Sequence, residues 1–176
     1  LLVSYDPLIT DYRGVCKALE GLAAQEREIG KTAREVEIPV CYGGEFGEDL
    51  PFVAKHAGMD EEQVIRLHSG RTYRIYMLGF LPGFPYLGGL DERLVTPRLP
   101  NPRTRIPSGS VGIGGEQTGI YPVESPGGWR LIGRTPLKLF LPGKDGKLPY
   151  EAGDSIRFVP IDAKIFADLA GEQERR

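Results

Sequence analysis

Residues 71–136 read RTYRIYMLGFLPGFPYLGGLDERLVTPRLPNPRTRIPSGSVGIGGEQTGIYPVESPGGWRLIGRTP, and this weave of glycine, proline and aromatics decides the fold. Glycine serves where the backbone takes positive φ or approaches another group closely; proline pins φ and removes a donor. A disordered tract with the same Gly/Pro content would lack the core formers threaded between these turns, among them Tyr73, Ile75, Phe84, Val111, Ile113, Ile120, Trp129 and Ile132. A segment rich in both turns and core residues implies short strands joined by exacting loops, and such loops line pockets.

Working outward, Thr72–Leu78 is the clearest strand, and Val111–Ile113, Gly119–Val123, Trp129–Ile132, Leu137–Phe140 and Ser155–Pro160 are expected to follow. Closely spaced strands separated by turn signals point to a barrel or sandwich. Upstream, Val36, Ile38 and Val40 alternate with Glu35, Glu37 and Pro39, which predicts a half-exposed strand placed at an edge by the proline. Two short helices come next. One is opened by Asp49 with Pro51 in its first turn; the other is opened by Asp60, with Gln63 at capping-box spacing, and closes at Ser69-Gly70. Further upstream, LLVSYDP reads as the end of a strand. Apolar residues from Tyr12 to Ala23 then recur at helical spacing within a helix expected over 11–28, capped by Thr10 or Asp11. Ile161–Leu169 reads as a terminal helix before the charged tail GEQERR, expected to be disordered.

The fold class is therefore mainly β with an α+β N-terminal part. The expected divisions are the remnant of a small α/β subdomain at 1–33, a β domain at 34–161, and a terminal helix and tail at 162–176. The chain opens on Leu1-Leu2-Val3 rather than methionine, so most of that first subdomain is expected to lie outside these residues.

The 176 residues, 40% of them hydrophobic, suffice for one packed domain. A net charge of -2 argues against nucleic acid or a membrane surface as partner, since both reward a basic face. No apolar run approaches the ~20 residues that span a bilayer, and no stretch here reads as a signal peptide. Cys16 and Cys41 form no close motif, and Cys16 is expected as a buried free thiol in a reducing, cytoplasmic setting.

Familiar catalytic signatures are missing. No glycine run is followed by Lys-Ser/Thr, Gln117 stands where a third glycine would complete G-x-G-x-x-G, and no serine sits in a nucleophile elbow. His56 and His68 lie on separate helices, so no metal site is predicted.

The candidate catalytic residues are His68, Gln117 and Thr118. His68 reads either as an acid, base or ligand contact titrating near neutrality, or as a helix C-terminal residue that favours the dipole. Gln117, Thr118, Tyr121 and Ser125 offer neutral donors for a carbonyl or carboxylate, or serve the turns around them. The loop carrying Phe80, Pro82, Gly83, Phe84 and Tyr86 either presents rings to a ligand or partner, or folds onto itself as an Ω-type loop. Arg103, Arg105, Arg130 and Arg134 suit bidentate pairing with phosphate or carboxylate, or are ordinary surface residues. Ser110, Gly127, Gly128 and Trp129 complete the candidate binding set, Trp129 reading as core or stacking platform.

The strings MLGFLPGFPYLGGLD (77–91), PRLPNPRTRIPSGSVGIGGEQTGIYPVESPGGW (97–129) and LIGRTPLKLF (131–140) closely resemble one family, with VCYGGEFGEDL (40–50) and VIRLHS (64–69) in support. Its members are variously named as the B subunit of 5-oxoprolinase, allophanate hydrolase subunit 1 and KipI. The resemblance covers roughly residues 36–160. It implies a cyclophilin-like closed β-barrel that pairs with a C subunit (allophanate hydrolase subunit 2-like) and works with an A subunit. That assembly opens 5-oxo-L-proline to L-glutamate with ATP, the nucleotide belonging to the complex. Fused relatives occur in urea carboxylase, and one member inhibits a sporulation histidine kinase. A kinase-docking module and a component of an allophanate hydrolase or urea carboxylase are therefore the other implied roles. The resemblance assigns no catalytic residue.

Overall fold

The computed structural model describes residues 3–23, 33–79, 81–140 and 148–175. The chain divides into two compact units, Leu1–Thr32 and Ala33–Arg176.

In the first unit the expected strand end is absent: residues 3–6 are irregular and run into a turn, and no strand among the described residues of that unit pairs with them. Asp6 organises the turn, its carboxylate accepting from the Leu8 N–H at 2.8 Å and its carbonyl from Ile9 and Thr10. Helix α1 spans Tyr12–Ala23, and Asp11, one of the two expected caps, accepts from the Gly14 N–H at 2.7 Å. The remainder of the expected helix and the linker at Gly30-Lys31-Thr32 lie outside the described residues. Cys16 is half-buried rather than core, because Tyr12, Leu19 and Leu22 on the same helix remain exposed; Cys41 is the buried thiol.

The second unit is a closed seven-stranded barrel. Its strands are β1 (Glu35–Tyr42), β2 (Thr72–Leu78), β3 (Pro85–Gly88), β5 (Ser110–Gly114), β6 (Gln117–Ile120), β8 (Arg130–Arg134) and β9 (Ser155–Ile161). They are ordered β1-β8-β5-β6-β3-β2-β9, and the parallel β9–β1 pair closes the ring. Strands β4 (Arg103–Ile106) and β7 (Ser125–Gly127) pair separately as a small antiparallel ribbon. Closure leaves no conventional edge strand, so Pro39 is not the edge residue its chemistry predicts. It is tolerated because β8 reaches only Cys41 and Tyr42 of β1, leaving the earlier part of β1 with β9 as its one neighbour. The expected strand at Leu137–Phe140 does not form; that segment is irregular, although Leu139 is buried.

Strand alternation fills the interior with Ile38, Val40, Tyr73, Ile75, Leu87, Val111, Ile113, Ile120, Ile132, Ile156 and Phe158. Helices α2 (Leu50–Ala57) and α3 (Glu61–Ser69) add Leu50, Val53, Ala54 and Val64 to the same core. Asp49 stands at the start of α2 as expected, but its side chain makes no capping bond; the other ends are set by local chemistry as the sequence predicts. Gly58 closes α2 in the left-handed conformation (φ 66°), and Asp60 and Gln63 form a full capping box at the start of α3. Helix α4 (Ala163–Glu174) is capped by Asp162 and runs on through most of the tail expected to be disordered. No helix among the described residues is long and apolar enough to cross a membrane.

Candidate functional site

A second apolar cluster of Phe84, Ile106, Tyr121, Trp129 and Leu131 is separate from the barrel interior. On β8, Leu131 belongs to this outer cluster while its neighbour Ile132 belongs to the core, so the two clusters occupy opposite faces of one wall. The glycines of β5 and β6 make the outer cluster possible. A Cβ on Gly114 would fall 2.4 Å from the Trp129 indole, and one on Gly119 would meet Phe84 at 3.0 Å and Trp129 at 3.1 Å. Glycine here lets two large rings lie directly on the sheet. The Phe84, Tyr121 and Trp129 rings meet edge to face at 5.4–6.2 Å between centroids, a favoured aromatic geometry.

These rings form the floor of an open cavity of about 220 Å3, bounded also by Leu81, Tyr86, Arg98, Gln117, Pro126, Gly127 and Gly128. The Arg98 guanidinium lies 5.7 Å from the Trp129 ring centroid, within cation–π range. Burial raises the pKa of the Tyr121 hydroxyl, an effect opposed by a hydrogen bond from the Trp129 backbone. Among the described residues no group of three or more His, Cys, Asp and Glu side chains is placed to hold a metal ion.

His68 and Thr118 are not at this cavity. Both are fully buried within the barrel, 2.8 Å apart from His68 Nε2 to Thr118 Oγ1. The Thr118 hydroxyl donates its one proton to the Gly112 carbonyl at 3.0 Å, so Nε2–H must donate to Thr118, leaving Nδ1 to accept from the Tyr42 hydroxyl at 2.8 Å. Tyr73 donates to the His68 carbonyl at 2.8 Å, and the imidazole stacks on Phe158 at 4.6 Å. Burial lowers the His68 pKa to about 3, with Arg71 adding to the effect. The imidazole is neutral, bonded at both nitrogens and closed off from solvent, and it ties α3 to β1 and β6.

The other sequence candidates also separate. Gln117, Phe84, Tyr86, Tyr121, Gly127, Gly128 and Trp129 converge on the cavity. Arg130 is turned away from it. Its guanidinium sits 3.7 Å over the Phe52 ring and 3.6 Å from Asp49, which also binds Arg103 at 2.9 Å and accepts from the Leu131 N–H at 2.7 Å. This buried carboxylate ties the start of α2 to β8. Arg105 pairs with Glu124 on the surface, and Arg134 donates to the Glu45 carbonyl. Ser110 bonds the Pro107 carbonyl, while the Ser125 hydroxyl is buried without a partner among the described residues. Gly83 has φ 79°, and its carbonyl accepts from Tyr150; Pro82 is next to it and Phe80 lies outside the described residues. Sequence reasoning passes over Arg98 and Asp49 as site residues. Neither stands in a motif, and only the fold brings them to their partners.

Residues 1–149 match the protein-family model described as carboxyltransferase domain, subdomain C and D. The chain is 53% identical over 143 residues (81% of its length) to a Bacillus subtilis protein named as the B subunit of 5-oxoprolinase, and 57% identical over 128 residues (73% of its length) to an Escherichia coli protein of that name. It spans 59% of the length of each of these relatives. The crystal structure of the conserved uncharacterized protein PH0987 from Pyrococcus horikoshii superposes with a TM-score of 0.73 at 54% identity, covering 92% of this chain and 74% of that one. With a family matched over most of its length and relatives above half identity, the chain belongs to the carboxyltransferase-domain family, subdomains C and D, as its likeness to the B subunit of 5-oxoprolinase led one to expect.

Proposed function

We propose that the chain is part of a 5-oxoprolinase B subunit and lends its outer aromatic cavity to a reaction site shared with a C subunit, with ATP consumed by the assembled complex. The observation that carries this reading is the cavity itself: aromatic, open, furnished with binding groups in Arg98 and Gln117, and lined by no histidine, cysteine or carboxylate among the described residues. Such a cavity holds a substrate and leaves activation to groups supplied from elsewhere. Opening a lactam at neutral pH expels a poor nitrogen leaving group, which accounts for a requirement for ATP. It also calls for donors aimed at the developing oxyanion.

The test mixes the full-length protein with the A and C subunits and follows ATP-dependent glutamate release from 5-oxo-L-proline. Omitting this protein should abolish release; unchanged release without it defeats the proposal. A second reading is favoured by the carboxyltransferase description of the matched family: carboxyl transfer to a urea-class amide. Replacing 5-oxo-L-proline by urea with bicarbonate in the same mixture decides between them.

A further inference from the structure

Arg98 and Gln117 stand at the rim of an aromatic cavity, and the side chain of neither makes a hydrogen bond or ion pair among the described residues. The other arginines placed by the fold near this wall are committed, Arg103 to Glu48 and Asp49, and Arg130 to Asp49 and Phe52. Arg98 is exposed, and Trp129 is its only ring contact among the described residues. No acidic residue among them lines the cavity, so an entering anion meets no like charge there.

The chemistry of the two rim groups narrows the occupant. A guanidinium fork matches a carboxylate in bidentate fashion. A primary carboxamide carries a carbonyl acceptor beside an NH2 donor. That pair is complementary to a cis amide, in which the N–H and C=O share one edge, the geometry a small lactam ring enforces. The floor of Trp129, Tyr121 and Phe84 offers flat apolar surface to the ring between those groups. A cavity of about 220 Å3 is below the ~300–1,000 Å3 of drug-sized pockets, which limits the occupant to a small metabolite.

We infer that the cavity binds a small carboxylic acid bearing a cis-amide edge, with the ring on Trp129, the carboxylate on Arg98 and the amide edge paired with Gln117. The inference rests on the function proposed above in that 5-oxo-L-proline is the acid meeting this description. Arg98 and Gln117 bind and orient it and take no part in bond breaking.

The experiment titrates the full-length protein, in complex with the C subunit, by calorimetry with three probes. These are 5-oxo-L-proline, the uncharged lactam pyrrolidin-2-one, and cyclopentanecarboxylate, which lacks the amide. Arg98→Gln should weaken both acids by about tenfold or more and leave pyrrolidin-2-one unchanged. Gln117→Leu should weaken both lactams and leave cyclopentanecarboxylate unchanged. No binding of 5-oxo-L-proline to the parent complex, or parent-like binding of all three probes by both variants, overturns the inference. Glutamate formation by the three-protein mixture separates the two claims. Turnover with an unaltered KM in both variants defeats the cavity assignment alone. The predicted probe pattern without turnover defeats the proposed activity and leaves the assignment standing.

Discussion

On β6, Gln117 and Thr118 are neighbours in sequence and face opposite worlds. Thr118 points into the barrel, where Tyr42, His68, Thr118 and the Gly112 carbonyl form an unbroken relay with every proton placed. Gln117 points outward to a cavity where its carboxamide and the Arg98 guanidinium have no hydrogen-bonding partner among the described residues. Both regions are built on aromatic clusters against the same wall, so ring content does not distinguish structure from function here. Satisfaction of polar groups does. A buried polar group left unpaired costs about 1–3 kcal/mol, which forces completeness on the interior. At an open rim water serves as temporary partner, and a ligand can replace it.

The largest effect is expected at Trp129, which floors the cavity yet is itself buried. Trp129→Ala should destabilise the protein by about 3–5 kcal/mol and abolish acid binding, read by chemical denaturation and calorimetry. A loss of binding with no loss of stability would mean that the outer cluster is not structural.

The interior is tested by pH. His68 has a folded pKa of about 3, lowered from the ordinary 6.5, so the native state resists protonation. Its contribution is complete above about pH 6.5 and is lost as pH falls toward 3, at a slope of about 1.4 kcal/mol per pH unit. Asp91 and Asp154 are held below the usual carboxylate range chiefly by hydrogen bonds from Arg93 and Arg34. They lose their contribution only as pH drops below the unfolded value of about 3.9. The interval from about pH 6 to 4.5 therefore isolates His68. His68→Phe should cost about 2–3 kcal/mol at neutral pH by orphaning the Tyr42 hydroxyl and breaking the relay. It should also flatten the acid slope in that interval. A slope that survives the substitution assigns the titration to another group and breaks the contrast.

The smallest expected effect is at the seam between the two regions. Gly114→Ala places a methyl 2.4 Å from the Trp129 ring, which must shift; the expected cost is about 1–2 kcal/mol, together with weaker ligand binding, measured by thermal melting and calorimetry. Unaltered melting would show the indole freer on the sheet than its contacts imply.

Much of this architecture is legible from local chemistry. The Asp60/Gln63 capping box, the turn at Gly58 and the strand at Thr72–Leu78 follow from residues a few positions apart, and the structure has all three. Short core-bearing strands between turn signals point to a barrel or a sandwich, and the family resemblance implies the closed barrel that the structure has. The terminal helix is legible in place but not in length, because its last residues are polar and composition alone reads them as tail. The β4–β7 ribbon leaves no local signal, because both strands are short, β4 lies between Pro102 and Pro107, β7 contains Pro126, and the two are defined by pairing with each other across 18 intervening residues of chain.

The candidate site is legible as a set of residues and illegible as a partition. Gln117 and Thr118 read as equals when the strand is expected to start at Gly119, two positions late. With β6 beginning at Gln117, period-two alternation assigns them to opposite faces. Arg98 carries no signal: an arginine between Pro97 and Leu99 in a proline-rich run is unremarkable until the fold sets it over Trp129.

The Asp60/Gln63 capping box, the turn at Gly58, the strand-bearing character of residues 71–136 and the likeness to the B subunit of 5-oxoprolinase are written in the chain, since each depends on residue type at short spacing or on long runs of identity. The interior place of His68, the turn of Arg130 to Asp49 and the meeting of Arg98 with Trp129 come from the assembled fold alone. Burial and partnership are properties of surfaces brought together from distant parts of the chain, and barrel closure is the event that brings them there.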